Sequence, residues 1–256
     1  MTVPRLVATA LDSAADGPVL VLGPSLGTSS AVLWEPVLPA LAPHFRLLAW
    51  DIPGHGASPA TTEPFTMAEL ADGVVAILDE LGVAEARYAG VSIGGAVGLA
   101  LGLGHQDRLT KLAILASGAK IGTPESWVDR AAFIRAQSTS ALVVQTAQRW
   151  FAPGIMEQQP VISGRLLHNL QDADDESYAL ACEALRDFDV IDRLGEIEIP
   201  VLALYGEQDE VTPRASAEQI AEGVRDGRTV GIADSAHLPP ANQPRATADA
   251  LLAFLA

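Results

Sequence analysis

The sequence predicts an α/β fold: a mostly parallel central sheet covered by helices on both faces, with a helical insertion. Three observations carry that expectation. Short, nearly continuous apolar runs closed by Gly or Pro recur along the chain, as in strands buried on both faces. Helical patterns alternate with these runs, the arrangement that places parallel strands in one sheet. One long stretch, residues 119–190, breaks the alternation and reads as helices alone.

Taken in order, the predicted strands are residues 18–23, 45–50, 86–90, 109–116, 201–205 and 228–232. Between them, residues 67–81 place Leu70, Val74, Ile77, Leu78 and Leu81 on one helical face, with Thr66 as N-cap and Gly82 suited to the C′ position. Residues 213–224 and 243–255 are the later helices, and residues 126–139, 141–151, 160–170 and 176–187 those of the insertion. The expected organisation is a core of residues 1–118 and 191–256 with a cap of residues 119–190. Ligands of open α/β sheets bind beyond the carboxyl ends of the strands, so a cap there would roof the site.

Composition narrows the function. The chain has 256 residues, is 49% apolar, and carries 16 Lys+Arg against 32 Asp+Glu, a net charge of −16. Such hydrophobicity excludes a disordered chain. The acidic balance argues against nucleic acid or an anionic membrane as partner, since both reward clustered Lys and Arg. The single cysteine, Cys182, can form neither an internal disulfide nor a CxxC metal site. Residues 1–17 hold Arg5, Asp12 and Asp16 but no apolar run, so no secretory leader is expected and the chain reads as soluble and cytoplasmic. The uncharged stretch 88–106 holds six glycines, a poor composition for a membrane helix.

The strongest chemical signal lies in that stretch. Gly90-Val91-Ser92-Ile93-Gly94 is a G-x-S-x-G directly after a predicted strand and directly before a helix. A serine there occupies a strained turn that lifts its Oγ off the sheet, and the flanking glycines let strand and helix approach. A plain Gly/Ser turn is the alternative without function. A serine hydroxyl needs a base held by a third group, in the chain order serine, acid, histidine. Of the five histidines, only His237 follows a late strand and precedes the last helix. Asp209, on the turn after strand 201–205, is the expected acid, with Glu207 and Glu210 as fallbacks. The oxyanion donors are expected at the Ile93 amide, at the start of its helix, and at Leu26 in the loop after the first core strand.

With these residues placed, essentially the whole chain resembles the α/β-hydrolase superfamily. Asp51-Ile-Pro-Gly-His-Gly-Ala-Ser58 is similar to that superfamily's loop after its second core strand, and Ile199-Pro-Val-Leu-Ala-Leu-Tyr-Gly-Glu-Gln-Asp209 to the strand and turn presenting its acid. Pro53 departs from the Arg of many relatives, and His55 reads as a structural part of that loop. A narrower resemblance is to the 3-oxoadipate enol-lactonases, through Ser25-Leu-Gly-Thr28, Ala119-Lys-Ile-Gly-Thr-Pro-Glu-Ser-Trp-Val-Asp-Arg130 and Arg149-Trp-Phe151. It implies hydrolysis of an enol-lactone bearing an acetate arm, in aromatic degradation through the β-ketoadipate pathway, with no metal or organic cofactor. A broad carboxylesterase, a cofactor-free perhydrolase and a carbon–carbon bond hydrolase are the rival enzymes. A ligand receptor on a hydrolase scaffold is the rival from outside enzymology.

An anionic lactone or ester meets a chain of net charge −16. Screening confines that repulsion to about 8 Å at physiological salt, so a local cation must capture the carboxylate. Residues 119–170 hold Lys120, Arg130, Arg135, Arg149 and Arg165 against Glu125, Asp129 and Glu157, a positive excess where the roof should be. Arg130 is the expected carboxylate partner, with Trp127 and Trp150 as walls. Solvated helix faces and cap core are the alternatives for these three.

Overall fold

A computed structural model describes residues 3–11 and 16–256. Its seven-stranded sheet has the order β1-β3-β2-β4-β5-β6-β7. The strands are β1 (Val7–Ala10), β2 (Val19–Gly23), β3 (Arg46–Asp51), β4 (Ala86–Val91), β5 (Leu109–Leu115), β6 (Val201–Gly206) and β7 (Gly227–Ile232). Only the β1–β3 pair is antiparallel. β2 is buried throughout, and β4 nearly so. This follows from apolar strands sandwiched between helices, which have no solvent face to alternate toward.

The helices follow the chain as α1 (Ser30–Trp34), α2 (Leu38–Leu41), α3 (Met67–Glu80), α4 (Ile93–Gly104), α5 (Pro124–Gln137), α6 (Val143–Trp150), α7 (Ile155–Gln158), α8 (Pro160–Asp172), α9 (Asp175–Arg186), α10 (Arg214–Gly223), α11 (Pro239–Asn242) and α12 (Pro244–Leu255). α3 begins with a capping box: Thr66 Oγ1 accepts from Glu69 N–H at 3.1 Å while Glu69 Oε2 accepts from Thr66 N–H at 2.9 Å. Gly82 ends it at φ +65°, the conformation glycine supplies at C′.

Three differences from the predicted elements have local causes. β1 is absent from the predicted strands because four half-exposed edge residues offer no hydrophobic contrast. α5 starts two residues before the predicted position, since Thr123 caps it and Pro124 supplies N1. The single turn α7 is too short to show a period.

Helices α5 to α9 lie between β5 and β6 in sequence. The base of this block is pinned where Val190 N–H donates to Ala119 O at 2.9 Å. Its far side is tied to the loop after β3. There Asp174 N–H donates to Gly54 O at 2.9 Å, and Thr61 N–H to Ser177 Oγ at 2.9 Å. These bonds tie the block to the segments that follow the carboxyl ends of β3 and β5.

Candidate active site

β4 passes into α4 at Ser92, whose φ of 55° and ψ of −115° lie in a region L residues seldom adopt. Close backbone contacts on either side enforce the turn. A Cβ at Gly90 would stand 2.3 Å from Gly94 O, and one at Gly94 would stand 2.5 Å from Pro24 O. Tyr88, fully buried in β4, donates its hydroxyl to Gly94 O at 2.7 Å, and Ser117 Oγ donates to Ser92 O at 2.7 Å. The strain at Ser92 is therefore over-determined by its neighbours.

Asp209 and His237 are brought together by the ends of β6 and β7. His237 Nδ1 lies 2.9 Å from Asp209 Oδ2, with the two residues 4% and 5% exposed. Asp209 Oδ2 also accepts from Thr212 Oγ1 at 2.8 Å, and Oδ1 from the Val211 and Thr212 amides at 2.8 and 3.2 Å. Burial pushes this carboxyl up, but His237 and the hydrogen bonds outweigh it, so its pKa lies below the ordinary value. It is ionised at neutral pH. The fallback acids Glu207 and Glu210 are exposed on the same turn.

The loop after β2 faces the turn at Ser92. Thr28 Oγ1 accepts from Ser25 N–H at 3.1 Å and donates to Ser25 O at 2.9 Å, and Trp34 Nε1 donates to Gly23 O at 2.9 Å. Among the described residues, neither the Leu26 nor the Ile93 amide has a hydrogen-bond acceptor. Leu26 lines the same chamber as Ser92 and His237, whereas Ile93 is fully buried beside it at the first position of α4.

Helices α5, α6 and α9 close this chamber. Trp127, Arg130, Thr146, Arg149, Trp150 and Tyr178 line it together with Ser92 and His237. A cleft of about 420 Å³ adjoins it and shares Ile121, Trp127, Arg130, Arg149 and Val211, so a molecule coming from this cleft to Ser92 passes both arginines. Arg130 Nε and Nη2 donate to Tyr178 Oη at 3.1 and 2.6 Å, and its guanidinium lies over the Trp127 and Tyr178 rings at 5.9 and 5.6 Å. Burial works against its charge, but the Tyr178 oxygen and Cys182 outweigh that and hold its pKa above the ordinary value. Four other cations of residues 119–190 are paired: Lys120 with Asp189 at 2.9 Å, Arg165 with Glu35 at 2.6 Å, Arg186 with Asp187 at 2.6 Å, and Arg135 with Glu176 and Glu183, both at 2.6 Å. Arg130 and Arg149 have no carboxylate partner among the described residues.

Sequence reasoning did not single out Arg149, Tyr178, Thr146 or Val211 as lining residues. Arg149 stood next to Trp150 in one of the motifs already noted, but nothing local showed which way its helix face turns. Tyr178 lies in an acid-rich helix and carries no sequence signal. His55 does not line the chamber. Its Nδ1 lies 2.9 Å from Pro53 O, and its ring stacks on Tyr178 at 5.9 Å. Burial lowers its pKa to about 4, so the ring is neutral at pH 7. Among the described residues no cluster of three or more His, Cys, Asp or Glu could hold a metal ion. None of the described helices is long and apolar enough to cross a membrane.

Comparison with known proteins agrees with this geometry. Residues 19–250 match the model of the alpha/beta hydrolase family. The chain is 34% identical to 3-oxoadipate enol-lactonase 2 of Acinetobacter baylyi, over 91% of this chain and 86% of that protein. It is 31% identical to the pimeloyl-[acyl-carrier protein] methyl ester esterase of Aeromonas hydrophila, over 90% of this chain and 92% of the esterase. The crystal structure of the enol-lactonase from Burkholderia xenovorans LB400 superposes with a TM-score of 0.93 at 33% identity, covering 98% of this chain and 96% of that one. A serine on a strained strand-to-helix turn of a mostly parallel sheet thus coincides with a family match over nine-tenths of the sequence, and the chain belongs to the alpha/beta hydrolase family.

Proposed function

We propose that this hydrolase opens 3-oxoadipate enol-lactone to 3-oxoadipate through a serine acyl-enzyme. The observation that carries the reading is Arg130, a charged guanidinium free of any carboxylate among the described residues, in the chamber lined by Ser92 and His237. In a chain of net charge −16, a half-buried arginine without a carboxylate partner is matched by an anion, and the acetate arm of the lactone supplies one. The likeness to enol-lactonases of Acinetobacter baylyi and Burkholderia xenovorans supports the lactone as the group attacked.

In this reading His237, oriented by ionised Asp209, takes the proton of Ser92 as Oγ attacks the lactone carbonyl. The oxyanion accepts from the Leu26 and Ile93 amides, each such donor typically contributing about 3 kcal/mol to lowering the barrier. The ring opens as the enolate leaves, takes the proton from His237 and tautomerises to the ketone. Water activated by His237 then releases the acid. Trp127 and Trp150 wall the lactone, and Arg130 holds its carboxylate. The residues present complete this sequence without a cofactor, and the reaction belongs to cytoplasmic aromatic degradation.

A general ester hydrolase is the second reading, favoured by the match to a methyl ester esterase. Comparing kcat/KM for the enol-lactone with simple aryl esters separates the two. A preference above tenfold for the lactone is expected, and a smaller one selects the general esterase. Ser92→Ala abolishes turnover in a folded protein; retained turnover refutes the nucleophile.

A further inference from the structure

Asn242, at the end of the four-residue helix α11, is 1% exposed and touches no substrate chamber, yet its amide spans two parts of the molecule. Oδ1 accepts from Ala152 N–H at 2.8 Å and from Ala236 N–H at 3.2 Å. Nδ2 donates to Trp150 O and to Leu238 O, both at 2.9 Å. That is the full capacity of a carboxamide, two acceptor sites and two protons. Reversing the amide would face donors with donors, so only one orientation satisfies the site.

The four partners fall into two pairs. Trp150 and Ala152 belong to the cap at the end of α6, while Ala236 and Leu238 bracket His237. Three further bonds run the same way. Trp150 O also accepts from Leu238 N–H at 3.3 Å, Arg149 O accepts from His237 N–H at 3.4 Å, and Gln159 Nε2 reaches Asn242 O at 3.1 Å. The two backbone bonds are long; the short ones belong to the Asn242 amide. Asp209 thus orients the His237 ring, and Asn242 fixes the backbone that carries it to the cap helix bearing Arg149 and Trp150.

We propose that Asn242 is a positioning residue that locks the cap to the loop of the base, so that the substrate wall and the imidazole move as one body. This rests on the serine mechanism proposed above but not on the identity of the ester. Asn242→Asp is close to isosteric and keeps the Oδ1 acceptor, but it sets an oxygen against the Trp150 and Leu238 carbonyls. A displacement of about 1 Å at a catalytic group costs on the order of a hundredfold in rate.

The test measures kcat and KM of wild type, Asn242→Asp and Thr247→Val on both the enol-lactone and a neutral aryl ester, with thermal unfolding alongside. Thr247 Oγ1 donates to Pro239 O at 2.9 Å in the same corner without touching the cap, so Thr247→Val reports a purely structural loss. Asn242→Asp is expected to lower kcat about a hundredfold on both substrates with KM unchanged, and to broaden or move the proton NMR signal of the His237–Asp209 pair. Thr247→Val is expected to lower Tm and leave kcat and that signal alone. Unchanged kcat in folded Asn242→Asp overturns the proposal, as does an equal kcat loss in Thr247→Val. Should Asn242→Asp not fold, Asn242→Ala, which removes the four amide bonds without adding a charge, replaces it; a lowered kcat at constant KM supports the proposal and unchanged kcat overturns it. Wild type that turns over the ester but not the lactone refutes the substrate reading alone, with Asn242 still tested on the ester.

Discussion

Replacing Arg130 with methionine keeps an unbranched stem against Trp127 and Tyr178 while deleting the guanidinium. A guanidinium has five N–H donors. Two are engaged by Tyr178 Oη, at 3.1 and 2.6 Å, which leaves three for a bound carboxylate. Hydrogen bonds to a charged group contribute about 1.5–3 kcal/mol. At 1.36 kcal/mol per decade this corresponds to a loss of about 13- to 160-fold in kcat/KM for the anionic lactone. The loss is expected mainly in KM, because the carboxylate lies away from the reacting carbonyl and is held alike before and during reaction. The assay runs the enol-lactone beside its neutral methyl ester. The variant also leaves the buried Tyr178 hydroxyl without its donors, so Arg130→Met/Tyr178→Phe controls for that orphaned group. Equal losses on the charged and neutral substrates, in both the single and double variants, would refute a carboxylate-binding role and make Arg130 a structural tie between α5 and α9.

Two further expectations follow from the buried titratable groups. Asp209→Asn keeps the shape of the site but reverses the hydrogen bond that sets the His237 tautomer, so kcat should fall on the order of 10⁴-fold while Glu207→Gln and Glu210→Gln leave it unchanged; the reverse pattern would misplace the acid. For His55, burial lowers the folded pKa to about 4 against an unfolded value of 6.5, so protonation favours the unfolded chain. Its stabilising effect is complete above pH 6.5 and is lost as pH falls toward 4. Lowering pH from 7.5 to 5.5 should cost wild type about 1.4 kcal/mol of unfolding free energy more than it costs His55→Asn. Urea titrations at both pH values measure this, and identical pH losses in the two proteins would show that His55 titrates normally in the fold.

The core strands were legible because each is a closed apolar run, and α3 because Thr66 and Gly82 punctuate a periodic face. β1 was not, since its pairing with β3 comes from hydrogen bonds to a distant strand rather than from its own four residues. The same division runs through the candidate site. Ser92 was legible from two glycines whose absent side chains make room for Gly94 O and Pro24 O, a steric need written within five residues. Tyr178 and Asn242 were not, since each acts through partners far away in sequence, Arg130 and Trp150 among them.

By itself the sequence determined the alternation of strands and helices, the turn at Ser92, the chain order of the candidate triad, and the total charge of −16. Only the tertiary structure decided which members of each group meet. Of three carboxylates within four residues, the turn after β6 buries Asp209 against His237 and leaves Glu207 and Glu210 in water. Of the six cations in residues 119–190, Lys120, Arg135, Arg165 and Arg186 are paired with carboxylates, and Arg130 and Arg149 line the chamber. The physical reason is range. Backbone strain and hydrophobic period act between near neighbours, whereas burial and charge pairing depend on groups that the fold alone brings together.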